Sequence, residues 1–382
     1  MKVALFENIM TPGGHEVDFD RIIAEELVAL GHEVSLYVPE GFDFSFDYHL
    51  PVRRLPGEVV TYTGVSGLKK LWRSVKREFH RKKWYKGLYD AAVRGEFDAV
   101  VVPTSTFRYL RSLSGSDLRS SPVPIIFILH GINPAEKEAF FREARKLLPY
   151  PNIKLMVLTF GDEILGDRLD NMYPTLPPAY TARDIAAPTT RNDGKTLRLG
   201  FFGQYRREKN LESFLETFAS GHFEREVSLL VQGATFHPED AEAFERIMER
   251  YGGDSRLTFL HGALLGIEWQ RALMETDALL MPYSSPRYRY HWGGMLFNAI
   301  GYKKPVIASD DMNPEVFEAY DIGVRFKSGD MKSLLSAMET FVNTFDSRKE
   351  AYRDALERAA ETYSPKRFAG RLEALMRGNT DG

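Results

Sequence analysis

The 382-residue sequence contains no cysteine. Disulfides, thiolate metal sites and a cysteine nucleophile are therefore excluded, and the composition fits a reducing compartment. A strong charge of either sign is also missing. The net charge is −3, so nothing draws the chain as a whole toward nucleic acid. No stretch approaches the ~20 apolar residues of a membrane-spanning helix. The opening run Val3-Ala4-Leu5-Phe6 soon meets Glu7 and Asn8. It is too short for the hydrophobic region of a signal peptide, and the expectation is a cytoplasmic chain, soluble or peripheral at the inner membrane face. The Gly-x-Gly-x-x-Gly and P-loop fingerprints are absent, as are short repeats and low-complexity segments.

What is present is ample core material: 43% hydrophobic and 13% aromatic residues, in a length that suits two domains or three. Short Val/Ile/Leu runs alternate with amphipathic stretches. Strands are expected at 3–6, 34–38, 99–102, 125–129 and 155–159, with a helix at 19–30. A polar, turn-rich segment at 186–196 reads as a linker. A second series follows, with strands at 197–202, 227–232, 257–260, 278–281, 305–308 and 323–326. Helices fall between them at 210–218, 239–251, 268–275, 294–301 and 315–320, and 331–377 reads as helical throughout. Near-continuous apolar strands separated by helices predict two doubly wound parallel sheets, with ligands held at the carboxyl ends of the strands.

Five segments carry candidate chemistry. Thr11-Pro12-Gly13-Gly14-His15 precedes the first helix; paired glycines let backbone N–H groups approach an anion, although a plain turn needs them equally. Gly203-Gln204-Tyr205-Arg206-Arg207-Glu208-Lys209 follows the first strand of the second half, and its three cations suit a diphosphate leaving group. Segment 287–298 joins arginines and aromatics to Gly293-Gly294 at a helix start, which fits either a phosphate-and-ring site or an aromatic core edge. His130 ends the apolar run 125–129, where it serves as a substrate contact or, as lone histidines more often do, as a structural residue. Segment 68–86 carries nine cations against a single acid, with Leu68, Leu71, Trp72, Val75 and Phe79 at helical spacing. This pattern points to an anionic membrane surface, though nucleic acid or an anionic acceptor would also suit it, or to a helix that packs its apolar stripe on the domain. Asp18-Phe19-Asp20 looks like a metal-binding pair but reads better as acids at a helix start.

In these segments the sequence resembles the GT-B glycosyltransferases, and within them glycosyltransferase family 4. The run Pro12-Gly13-Gly14-His15-Glu16, then Leu30-Gly31-His32-Glu33-Val34, is similar to that family's opening. Leu199-Gly200-Phe201-Phe202-Gly203 with Lys209-Asn210-Leu211 resembles its second-domain entry. Asp277–Pro282, Lys304–Ser309 and Pro314-Glu315-Val316 resemble its later signatures. The resemblance implies an acceptor-binding domain at 1–188, a nucleotide-sugar domain at 189–362, and a final helix in 363–382 that crosses back. It implies a metal-independent glycosyltransferase: a hexosyl or related sugar moves, with retention, from a nucleotide diphosphate-sugar to a glycan or lipid-linked hydroxyl in polysaccharide or glycolipid synthesis.

By the same resemblance, catalytic positions are His15, His130, Arg206 and Lys209. Donor-binding positions are Gly13, Gly14, Gly203, Gln204, Arg207, Lys209, Tyr290, Gly293, Gly294, Met295 and Asn298. No metal or other cofactor is expected, and no nucleic acid. The family usually places two glutamates in this region with seven residues between them; Tyr290 and Asn298 stand there instead. Gln204 replaces the usual arginine after the entry glycine. These departures admit a second reading, a catalytically inactive scaffold. An epimerase or phosphorylase on the same fold is a more remote alternative.

Overall fold

The computed structural model describes the chain except residues 10–14, 45, 61–66, 162, 182–194 and 380–382; of residues 15, 67–71, 74 and 208 it describes the backbone alone. Two wholly parallel sheets follow one another. The first contains β1 (Lys2–Phe6), β2 (Glu33–Glu40), β3 (Val52–Glu58), β4 (Ala99–Ser105), β5 (Ile125–Leu129), β6 (Ile153–Leu158) and β7 (Met172–Thr175), in the order β3-β2-β1-β4-β5-β6-β7. The second contains β8 (Leu197–Phe201), β9 (Val227–Gly233), β10 (Leu257–His261), β11 (Ala278–Met281), β12 (Val306–Ser309) and β13 (Gly323–Phe326), in the order β10-β9-β8-β11-β12-β13.

Helices α1 (His15–Ala29), α2 (Gly67–Val93), α3 (Phe107–Ser114) and α4 (Lys137–Arg145) lie between the first strands. Helices α5 (Leu211–Ser220), α6 (Pro238–Tyr251), α7 (Gly266–Met274), α8 (Arg287–Tyr290), α9 (Gly294–Gly301) and α10 (Pro314–Ala319) lie between the second set. The chain closes with α11 (Met331–Thr362) and α12 (Pro365–Met376). Central strands are apolar on both faces because both faces are covered: every residue of β5 is buried. In each sheet the order reverses at its first strand, between β1 and β4 and between β8 and β11, where a crevice opens at the carboxyl ends.

The expected strands are all present, shifted by at most three residues at an end. Two more, β3 and β7, form the edges of the first sheet. Each carries a proline, and β3 adds Arg53, Arg54 and Gly57, so neither looks like a buried strand. The helical stretch 331–377 is two helices. It breaks at Ser364-Pro365, where Ser364 Oγ accepts the Arg367 N–H at 3.4 Å and Pro365 occupies the first turn. Helix α12 returns to the first sheet: Lys154 Nζ of β6 donates to Leu375 O at 2.6 Å. The expected boundary at 188/189 lies outside the described residues.

Candidate functional site

The site begins where β8 stops. Gly203 has φ +106°, a conformation costly for any residue with a Cβ. Its N–H donates to Gln232 Oε1 at 2.8 Å, which ties the loop to β9. A Cβ here would stand 3.1 Å from Lys209 Nζ, so the glycine leaves room for the ammonium. Lys209 is buried; Nζ donates to Phe202 O at 3.2 Å and lies 4.8 Å from the centre of the Tyr283 ring. Arg206 Nε and Nη2 both donate to Gln204 Oε1, at 3.3 and 2.9 Å. Gly203, Gln204, Arg206 and Lys209 all line one cavity of about 290 Å³.

The loop after β11 supplies Tyr283, Arg287, Tyr288, His291 and Trp292, and Gly293, Gly294 and Met295 follow at the start of α9. Buried Asn313 holds this loop in shape. Its Nδ2 donates to Tyr288 O (3.2 Å) and His291 O (3.1 Å), and its Oδ1 accepts from Gly293 N (3.2 Å). The first turn of α9 therefore lies on the cavity wall, where the positive end of the helix dipole favours an anion. Burial holds the Tyr283 phenol well above its usual pKa, so its hydroxyl stays neutral.

Asn298 is only 3% exposed. Its Oδ1 accepts from Trp269 Nε1 at 3.3 Å and its Nδ2 donates to Gly294 O at 2.9 Å. An indole N–H only donates and a carbonyl only accepts, so the amide can sit in one orientation. One Nδ2 hydrogen and one Oδ1 lone pair remain for a ligand. Leu264, Leu265, Gly266 and Trp269 complete this less polar end.

The first domain contributes Glu16, Val17 and Asp18 from the opening turn of α1. Asp18 Oδ1 lies 3.2 Å from Arg21 Nε, and Arg21 also reaches Glu25 (3.0 Å) and Thr181 O (3.2 Å). Burial raises the Asp18 pKa, with Arg21 pulling the other way. Close by, Glu7 and Asp20 form a buried carboxyl pair. Burial raises Glu7 to about 7; burial and then the Glu7 charge raise Asp20 well above its usual range. Glu7 Oε1 also accepts the N–H groups of Asn8 (2.5 Å) and Ile9. One proton shared by the pair keeps a second charge out of a poorly solvated place. Among the described residues no group of three His, Asp or Glu side chains could hold a metal ion.

The domains meet beside this cavity. Gly131 bridges to His291, and Trp292 N–H donates to His130 O at 2.8 Å. Gly131 has φ +102°, and a Cβ there would stand 2.2 Å from Tyr290 O, so only glycine permits the approach. His130 is buried, with Nε2 2.9 Å from Pro103 O, and its ring packs between Phe19 and Trp292 at centroid distances of 4.6 and 5.0 Å.

Of the residues expected from sequence, the cavity thus gathers Gly203, Gln204, Arg206, Lys209, Gly293, Gly294, Met295 and Asn298. Three expected residues are not among those that line it. His130 sits in the aromatic contact between domains, Tyr290 OH donates to Glu163 Oε1 at 2.9 Å, and Arg207 is exposed on the turn before α5. Gly13, Gly14 and the side chain of His15 lie outside the described residues. Arg287 comes from the segment 287–298 singled out in the sequence, whereas Trp269, Glu16 and Asp18 were not expected in the site. Trp269 has a topological signal: α7 follows the carboxyl end of β10, in the same crevice as the loop after β8.

Residues 196–344 match the family model described as glycosyl transferases group 1. Among solved structures, HepE of Anabaena in complex with UDP and glucose superposes with a TM-score of 0.69 at 13% identity, covering 99% of each chain. WaaG, a glycosyltransferase involved in lipopolysaccharide biosynthesis, gives 0.65 at 17% identity, covering 98% of this chain and 100% of its own. The catalytic domain of starch synthase IV from Arabidopsis thaliana, bound to ADP and acarbose, gives 0.62 at 11%, covering 100% and 99%. The fold is GT-B. No curated protein matches by sequence. The matched residues run from β8 into α11, and so include every second-domain residue of the cavity.

Proposed function

We propose that the chain transfers a glycosyl group from a nucleotide diphosphate-sugar to a hydroxyl of a glycan or lipid-linked acceptor. The observation that carries this reading is the polarity of the cavity in the group 1 domain: Arg206, Lys209 and the α9 start at one end, Trp269 and Leu264–Gly266 at the other. The diphosphate belongs at the cationic end and the base at the Trp269 end, with Asn298 beside the ribose. In the reaction the bond from the anomeric carbon to the diphosphate oxygen breaks, and the acceptor oxygen takes its place. The acceptor proton leaves with the diphosphate, whose growing charge Lys209, Arg206 and Arg287 stabilise. These side chains supply the countercharge, which makes the proposed reaction independent of a metal ion. We assign the acceptor to the first-domain wall and the stereochemistry to retention. His130 acts here as a positioning residue, through Trp292.

HepE has been captured with UDP and with UDP-glucose, so a uridine donor is the first to test. Titration calorimetry with UDP, GDP, dTDP and ADP, followed by a hydrolysis or transfer assay with the sugar conjugate of the tightest binder, tests the reading. A second reading has one observation behind it. Tyr290 and Asn298 stand where carboxylates are usual, and Asn298 is already engaged by Trp269 and Gly294. A bound nucleotide with no turnover for any acceptor would favour that scaffold role.

A further inference from the structure

Helix α2 is 27 residues long, and its two ends have different surroundings. From His80 onward one face is built into the first domain. Trp84 Nε1 donates to Gly57 O at 2.8 Å, and Tyr85 OH donates to Tyr109 O at 3.2 Å. Arg81 is buried between Glu78 and Ser112, its guanidinium 4.2 Å from the centre of the Tyr109 ring. The earlier turns differ: Trp72 is 68% exposed, Val75 63% and Phe79 59%. The sequence left open whether this stripe packs on the domain; Trp72, Val75 and Phe79 do not, and the side chains of Leu68 and Leu71 lie outside those described.

Residues three and four apart share a helix face, so Trp72, Val75 and Phe79 form one outward stripe. By the same periodicity Lys82, Lys83 and Lys86, all exposed, continue that face over the next two turns. Lys83 Nζ sits 4.9 Å from the Phe79 ring centre. Of the nearby acids, Glu78 is drawn inward by Arg81 and Ser112, Glu58 pairs with Lys76 at 3.5 Å, and Asp90 pairs with Lys86 at 3.0 Å.

A nucleic acid would satisfy the lysines and leave the apolar stripe in water. An apolar protein groove would cover the stripe and desolvate the lysines without partners. A lipid surface with anionic headgroups satisfies both, with apolar side chains at the acyl boundary and ammonium groups at the phosphates. Among the described residues no helix is long and apolar enough to cross a membrane, so α2 would lie in the surface plane. We propose that this face of α2 docks the first domain on an anionic lipid bilayer. The inference stands on α2 alone and holds equally for an active transferase or a scaffold.

The test is flotation of the full chain with vesicles of phosphatidylcholine alone and of phosphatidylcholine with phosphatidylglycerol. The expected result is flotation with the anionic vesicles only, with a blue shift of tryptophan emission that Trp72→Phe removes. Lys82→Gln with Lys83→Gln should lower partitioning roughly thirty-fold, at about 1 kcal/mol per cation near an anionic surface. Trp72→Ser, Val75→Ser and Phe79→Ser together should abolish flotation while the melting temperature holds, because these side chains are exposed. Flotation unchanged in that triple variant overturns the proposal. So does failure of the wild type to float with either vesicle, or its retention by a duplex oligonucleotide in place of vesicles.

Discussion

The two walls of the cavity are built from opposite materials. The second-domain wall offers Arg206, Lys209 and Arg287 with the N–H groups that open α9. The first-domain wall offers Glu16 and Asp18, with the Glu7–Asp20 pair close by. A diphosphate suits the cationic second-domain wall and is repelled by the acidic first-domain wall. Hydroxyl groups, which donate hydrogen bonds to carboxylates, suit the first-domain wall. The contrast therefore orients a reaction in a cavity that fold alone leaves unoriented, and each wall can be altered without touching the other.

Lys209→Ala should have the largest effect, because it takes the buried ammonium from the cationic wall. We expect turnover to fall by roughly a hundred- to a thousand-fold, as when one preorganised charge-stabilising group is removed. Nucleotide affinity, read by calorimetry, should fall roughly ten-fold or more. Gly131→Ala attacks the contact that sets the walls against each other. With its Cβ 2.2 Å from Tyr290 O and φ at +102°, it should destabilise the protein by roughly 3 kcal/mol, read by denaturant unfolding. Trp269→Ala should weaken nucleotide binding about ten-fold, the scale of one base–aromatic stack, and leave acceptor affinity unchanged.

Glu7→Gln alters the acidic side. Burial raises the Glu7 pKa from 4.5 to about 7 in the folded protein. A carboxyl raised in this way favours folding while protonated. Its contribution is complete below the unfolded value and is lost as pH rises through the folded one. The wild-type melting temperature should therefore fall between about pH 5 and about pH 8, and Glu7→Gln should flatten that slope. Arg207→Ala should have the smallest effect, within roughly two-fold on nucleotide binding, because the side chain is exposed and outside the cavity lining. An Arg207 effect as large as that of Lys209 would mean that the cationic wall has been drawn from the wrong side chains.

The legibility of the sequence follows the same division. Strand β5 could be read residue for residue because an unbroken apolar run has few other uses in a doubly covered sheet. Strands β3 and β7 could not, since a sheet edge tolerates proline and charge that a central strand excludes. Eight expected residues of the second-domain wall meet at the cavity because they lie on two segments that begin at neighbouring strand ends, the loop after β8 and the loop after β11 with the start of α9. Trp269 comes from a third loop and is brought to Asn298 by tertiary packing alone, across 29 positions of sequence. The acidic wall was hidden for another reason. Asp18 and Asp20 look like ordinary acids in the first turns of a helix, and nothing local shows that Asp20 is buried against Glu7.

The most direct test of the donor-site account is a thermal-shift screen of the wild type and Lys209→Ala against UDP, GDP, dTDP and ADP. A ligand that binds only the folded state raises its melting temperature by mass action. The account predicts a clear stabilisation of the wild type by at least one of these nucleotides, and its loss in Lys209→Ala. No stabilisation of the wild type by any of them, or an equal shift in both proteins, would contradict it.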